Sequence, residues 1–151
     1  MDEVLRQKVR ALIRDQDTCV LATASENRPH CSLMAYAHDD SCSEIYLMTL
    51  KDSRKYQNML KNPAVSLLID TRKDTLKSDH TATVALTLSG RFQEIIKDNE
   101  PERIRRALSR RHPGLKDFFE NPEQVPARII IESILLLEGP TKAQYGVISE
   151  S

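Results

Sequence analysis

The stretch Ile45-Tyr46-Leu47-Met48-Thr49-Leu50-Lys51-Asp52-Ser53-Arg54-Lys55-Tyr56-Gln57-Asn58-Met59-Leu60-Lys61-Asn62-Pro63 reads as a strand, a short turn and a helix. β-Branched and aromatic residues open the strand. Asp52 or Ser53 can cap the helix by accepting from its first free N–H groups, and Asn62-Pro63 stops it. The charge at this start is unusual. Lys51, Arg54 and Lys55 crowd the end where the helix dipole is already positive and where Asp or Glu is normally favoured. Cations there repel the dipole unless an anion sits among them. The N–H groups, the hydroxyls of Thr49 and Ser53 and these cations can together form a phosphate seat. The competing reading is a solvated helix with ordinary surface charge, which tolerates such a local cost.

Before this segment, Leu5, Val9, Leu12 and Ile13 form an apolar stripe, which predicts an amphipathic N-terminal helix. The run from Thr18 to Ala24 has strand character, Ser25-Glu26-Asn27-Arg28-Pro29 has turn chemistry, and His30 to Ala37 is the returning strand. After Pro63, Ala64 to Ile69 is a fourth strand, dense enough in apolar residues to lie inside a sheet. Thr71 to His80 is a polar loop. Thr81 to Ile96 is long for one straight strand, and Ser89-Gly90 within it predicts a bulge or sharp bend. Asn99 and Glu102 are spaced as a capping box, Pro101 suits a first helical turn, and Ile104, Ala107 and Leu108 supply that helix with a buried side. A short helical piece around Leu115 to Phe119 precedes a last strand from Ala127 to Leu137, which Gly139-Pro140 ends. Phe118 and Phe119 are expected as core or dimer contacts.

This order predicts a mainly β protein with helices (α+β): a six-stranded antiparallel split β-barrel with Greek-key character and peripheral helices. The 151 residues suit a single domain over 1–140 and a polar tail over 141–151. Lys+Arg and Asp+Glu each number 22, so no net field gathers nucleic acid or an anionic membrane, and a small molecule or a protein is the expected partner. No apolar run is long enough to span a bilayer, and Met1-Asp2-Glu3 does not begin a signal peptide, which predicts a cytoplasmic protein. Cys19, Cys31 and Cys42 are odd in number and lack zinc spacing, so reduced thiols are expected, with Cys19 and Cys31 buried in strands. His30, His38, His80 and His112 are scattered, with no metal-ligand spacing. No glycine-flanked serine or glycine-rich phosphate loop is present. Arg103, Arg105, Arg106, Arg110 and Arg111 could dock an anion, but they follow Glu100 and Glu102 on one helix in the order its dipole prefers, which favours a solvated face.

In this order of parts the chain resembles the FMN-binding split-barrel family that includes pyridoxamine 5'-phosphate oxidase. The residues that carry the resemblance are Leu21-Ala22-Thr23, Arg28-Pro29 leading into Ser32-Leu33-Met34, Tyr46-Leu47-Met48-Thr49 with Ser53-Arg54-Lys55, Asn62-Pro63-Ala64-Val65, and Gly90. The resemblance implies that the strand from His30 through Ser32 and Leu33 to Met34 lies along the isoalloxazine ring, largely through its backbone. It also implies that Thr49, Ser53, Arg54 and Lys55 grip the phosphate of FMN, in agreement with the charge anomaly that also includes Lys51. His30 could contact the ring, although a surface or packing histidine is the commoner case. The family is typically a homodimer with flavin at the subunit interface, so a second chain would complete the site; Arg91, Gln93 and Tyr145 are candidates for that contribution. The Trp and basic pair of the family's substrate-binding C-terminal segment are not recognisable, so oxidation of pyridoxamine phosphate itself is not expected. The resemblance thus implies an FMN-dependent oxidoreductase of unidentified small-molecule substrate, with no catalytic side chain assigned. The alternatives are a non-catalytic flavin or electron carrier, or a haem or deazaflavin binder of the same fold.

Overall fold

In the computed structural model, residues 1–74 and 82–148 are described. The later part of the Thr71–His80 loop, the strand start expected at Thr81 and the end of the tail lie outside these residues.

The chain runs α1 (Glu3–Asp15), β1 (Thr18–Ser25), β2 (Arg28–Ala35), β3 (Ala37–His38), β4 (Glu44–Leu50), α2 (Arg54–Lys61), β5 (Ala64–Asp70), β6 (Val84–Gln93), α3 (Glu100–Arg111), a 3-10 turn over Pro113–Leu115, α4 (Lys116–Glu120), β7 (Gln124–Glu138) and β8 (Lys142–Val147). The strands form one antiparallel sheet ordered β2-β1-β5-β6-β7-β4-β3, with β8 paired to β7. It curls into the half-barrel of a split-barrel fold. Among the described residues there are eight strands rather than the expected six. Tyr36 splits the return strand into β2 and β3 because its N–H leaves the ladder for Asp17 O (3.1 Å) and its hydroxyl donates to Ile13 O and Gln16 O. The expected tail supplies the other extra strand: Gly139 takes φ 68° in a turn at Gly139-Pro140, and Lys142–Val147 folds back along β7.

The main core lies inside the curl. The α1 stripe of Leu5, Val9, Leu12 and Ile13 packs there with Leu21, Leu67, Leu86, Leu88, Ile129 and Ile134 from the strands. Tyr56 and Met59 bring α2 onto the same core. A second cluster of Tyr46, Met48, Ile104, Leu108 and Phe119 lies between β4 and the α3–α4 pair. Strand β4 is therefore covered on both faces, which explains its unbroken apolar run Ile45-Tyr46-Leu47-Met48.

The β6–β7 register shifts between Ser89 and Gly90: Ser89 pairs with Ser133, and Gly90 pairs with Ile131. Glu132 is the extra residue, and its insertion lets both Ile131 and Ile134 face the core. A side chain at Gly90 would press onto the backbone carbonyl of Ile130. Glycine is required there for space.

Three local expectations are corrected. Asn99 does not cap α3, because its backbone is already helical (φ −100°, ψ −6°) and its side chain makes no cap bond; Glu100 instead pairs with Arg128 at 3.2 Å. Cys31 is exposed, since its partner in the ladder is Ala22 on the outward face, whereas burial pushes the Cys19 thiol up to about 12. The arginine face of α3 is only partly solvated. Arg105 donates to the carbonyls of Phe119, Asn121 and Gln124, and Arg111 to those of Ile13, Arg14 and Gln16 while lying over the Tyr36 ring. Arg111 Nη1 also donates to His38 Nε2 (3.1 Å), and His38 Nδ1 donates to Asp39 O (2.7 Å).

The β3–β4 loop is built on Asp39. Its carboxylate accepts from Ser43 N, Glu44 N, Ser41 Oγ and Ser43 Oγ at 2.8–2.9 Å. Burial alone would raise its pKa, but these hydrogen bonds outweigh burial and hold it below the ordinary value. Its contribution to stability is complete above about pH 4, where an unfolded Asp ionises, and is lost as pH falls through the lower folded value. Asp39→Asn should cost about 1–2 kcal/mol at neutral pH and flatten the acid limb of stability against pH, measured by urea denaturation between pH 7 and pH 3. A variant whose acid limb matches the parent would remove Asp39 from that role.

Candidate functional site

The start of α2 is assembled by hydroxyls. Ser53 is the N-cap, with Oγ accepting from Tyr56 N at 3.3 Å, and its hydroxyl also shares a hydrogen bond with Thr49 Oγ1 at 2.9 Å. Asp52 remains outside the helix and exposed. The first turn of α2 holds no acid, and Asp52, just before the cap, is the adjacent carboxylate in the chain. Asn58 Nδ2 donates to Thr23 Oγ1 and Asn62 Nδ2 to Ala24 O, which ties α2 to β1. Tyr56 meets Phe92 edge-on, with ring centroids 5.7 Å apart, and so seats the helix on the core. Ser53→Ala should lower stability by about 1 kcal/mol through loss of the cap, read as a shift in the urea midpoint.

Against this helix end opens a cleft of about 360 Å³. Its polar wall is Thr49, Ser53 and Lys55; its apolar walls include Leu33 and Met34 of β2, Met48 of β4, Leu115 just before α4 and Phe118 within it. The structure thus brings five of the expected site residues together: Leu33, Met34, Thr49, Ser53 and Lys55. The other four stand off. Lys51 and Arg54 are exposed at the turn, with the Lys51 carbonyl accepting from Gln57 Nε2, and neither lines the cleft. His30 and Ser32 bond to each other at 3.2 Å along β2, outside the cleft. Arg91, Gln93 and Tyr145 are exposed and likewise lie outside it.

Seven further described residues line the cleft outside the expected set, and two of them, Phe118 and Gln124, bear on what it can hold. Phe118 is half-exposed on the cleft wall, while its neighbour Phe119 fills the core. Gln124 is 5% exposed, lines the cleft, and has an Oε1 without a hydrogen-bond partner among the described residues. Nothing in the sequence around Gln124 distinguishes it from a loop glutamine. Phe118 is marked only by a helical pair of aromatics in a chain with few of them.

Chemically, the polar wall suits an anion and the remainder a flat apolar body. A phosphate would meet the Lys55 ammonium, two hydroxyls and the first N–H groups of α2. A haem would find no His, Cys or Tyr among the described lining residues, only the Met34 and Met48 thioethers as candidate axial ligands. A second hollow of about 950 Å³ lies beside α1, where Arg6, Arg10 and Arg91 alternate with Glu44 and Glu132. Its mixed charges single out no ligand.

The fold and this cleft define a split-barrel protein with a cleft that opens at the start of α2. The sequence profile of the pyridoxamine 5'-phosphate oxidase family matches residues 5–133, and the chain belongs to that family. No curated protein matches the chain in sequence. Among solved structures, a heme binding protein from Mycobacterium smegmatis is similar with TM-score 0.83 and 16% identity; the match covers 97% of this chain and 59% of that protein, so the chain spans less than two thirds of its length. A FAD-binding protein from Mesorhizobium loti is similar with TM-score 0.68 and 20% identity, over 90% of this chain and 94% of that one. The heme storage protein of Vibrio cholerae is similar with TM-score 0.70 and 18% identity, over 85% and 90% of the two chains. At these identities the likenesses establish the fold alone. No helix among the described residues is long and apolar enough to cross a membrane.

Proposed function

We propose that the protein binds FMN in the cleft beside α2 and acts as a flavin-dependent oxidoreductase on a small molecule. The observation that carries this reading is the Thr49–Ser53 hydroxyl pair with Lys55, set at the acid-free first turn of α2 and opening onto an apolar cleft. In this reading Lys55, the two hydroxyls and the α2 N–H groups hold the phosphate, while Leu33, Met34, Met48 and Phe118 exclude water from one side of the ring. Bound flavin would supply hydride or electron transfer; the protein supplies position and electrostatics. The free thiols fit a reducing, cytoplasmic setting.

The working unit is a homodimer. Leu33, Val20, Leu68, Thr87, Leu135 and Tyr145 stand side by side through the ladder, an outward row across six strands, with Leu33 75% and Tyr145 67% exposed. Leu33 belongs both to that row and to the cleft wall, so a second copy packed on the row would close the cleft and could bring its own Tyr145 toward it. The heme-binding neighbours support a second reading, a haem binder of the same fold.

The test is the absorption spectrum of purified protein before and after addition of FMN or haem, with gel filtration on the same sample. Flavin bands retained in a dimer peak are expected, and their reoxidation after reduced nicotinamide with candidate acceptors would separate enzyme from carrier. Retention of haem with indifference to FMN would establish the second reading, and a monomer peak would overturn the dimer.

A further inference from the structure

We propose that Gln124 reads the polyol chain of the bound flavin, accepting a hydrogen bond at Oε1 from a ribityl hydroxyl. This rests on the FMN reading above and adds to it a residue that selects the ligand. Gln124 is 5% exposed on the cleft wall, and its Oε1 has no donor among the described residues. An unpaired buried acceptor is costly and is normally satisfied; Oε1 is covered in the ligand-free chain, and a turn of the Gln124 side chain would bring it to a donor on a ligand in the cleft.

The ladder fixes which part of the ligand that is. Gln124 stands directly opposite Leu50 on β4, and Ser53 N donates to Leu50 O at 3.0 Å, so Gln124 adjoins the turn that leads into the anion seat. A phosphate held as the dianion among cations and N–H groups offers no donor to an amide oxygen. The nearest donors on FMN are the hydroxyls of the chain joining phosphate to ring, whereas the N–H of the flavin ring lies at the far end of the molecule. Arg105 holds the Gln124 carbonyl at 3.1 Å and also takes those of Phe119 and Asn121, so the segment that carries the amide is braced before any ligand arrives. The inference separates the ligands compatible with this fold: FMN and riboflavin carry a polyol chain, and haem does not.

The experiment uses the full chain and its Gln124→Leu variant, titrated with FMN, riboflavin and lumiflavin, which keeps the ring but has a methyl group in place of the chain. In the parent, riboflavin should bind more tightly than lumiflavin. In Gln124→Leu that preference should fall about tenfold, the value of one hydrogen bond to a buried group, and the ratio of FMN to riboflavin affinity should stay unchanged. The ligand-free variant should melt no lower than the parent, because the change removes an unsatisfied acceptor rather than a bond. A preserved riboflavin-to-lumiflavin ratio, or a lowered melting temperature without ligand, would overturn the role of Gln124 while the parent's FMN binding upheld the flavin reading. A parent that binds none of the three flavins would overturn both.

Discussion

Lys55→Ala should weaken FMN binding by roughly 10–100-fold while changing riboflavin affinity less than about twofold, the range expected for one charge-assisted hydrogen bond partly shielded from water. The selectivity follows from placement. Lys55 is half-buried on the cleft wall beside the Thr49–Ser53 hydroxyl pair, and only FMN presents an anion to that corner. Arg54 is the internal comparison: it is exposed and off the cleft wall, so Arg54→Ala should cost less than Lys55→Ala, and its effect should fade as salt rises. Flavin fluorescence titrations of both ligands against both variants give the four ratios needed. Equal losses of FMN and riboflavin in Lys55→Ala would move the phosphate away from α2 and return these cations to the surface.

That prediction could be framed from sequence because helix termini have strong local signals. Ser53 as the cap, Asn62-Pro63 as the stop and the reversed charge of the first turn are all local properties, and each sits where the sequence places it. The apolar stripe of α1 and the glycine at the β6–β7 bulge were legible for the same reason. What escaped depends on contacts between distant segments. Five arginines on one helix look alike in sequence, yet Arg105 and Arg111 are distinguished by carbonyls 14 to 19 and 95 to 98 positions away. The last strand was missed because Lys142-Ala143-Gln144-Tyr145-Gly146-Val147 alternates only weakly; pairing with β7 supplies the order that propensity does not. Gln124 is the extreme case. Its significance lies in a partner it lacks, which no sequence window displays.

Gly90→Ala should destabilise the protein by about 2–4 kcal/mol, at or beyond the upper end of ordinary overpacking, because the obstruction is backbone. A Cβ there would strike the Ile130 carbonyl oxygen and approach Ile129 Cγ2 at 3.0 Å, and a main-chain carbonyl in the middle of a ladder has no rotamer with which to retreat. Relief would require opening the β6–β7 ladder at its bulge. Two residues further on, Phe92 supports Tyr56 of α2, and Phe92 N donates to Pro63 O at 2.8 Å just beyond that helix. Displacement of the bulge should therefore reach the anion seat through Phe92, so the variant should lose FMN affinity as well as stability, although Gly90 is outside the cleft. Gly114 provides the control: a Cβ there meets nothing within 4 Å, and Gly114→Ala should remain within about 0.5 kcal/mol of the parent. For a chain of this length the Gly90→Ala loss corresponds to a melting temperature lower by roughly 4–16 °C, readable by thermal denaturation of the two variants side by side. Equal melting of both would mean that β6 and β7 separate at the bulge without cost, and the link from Gly90 through Phe92 to α2 would fall with it.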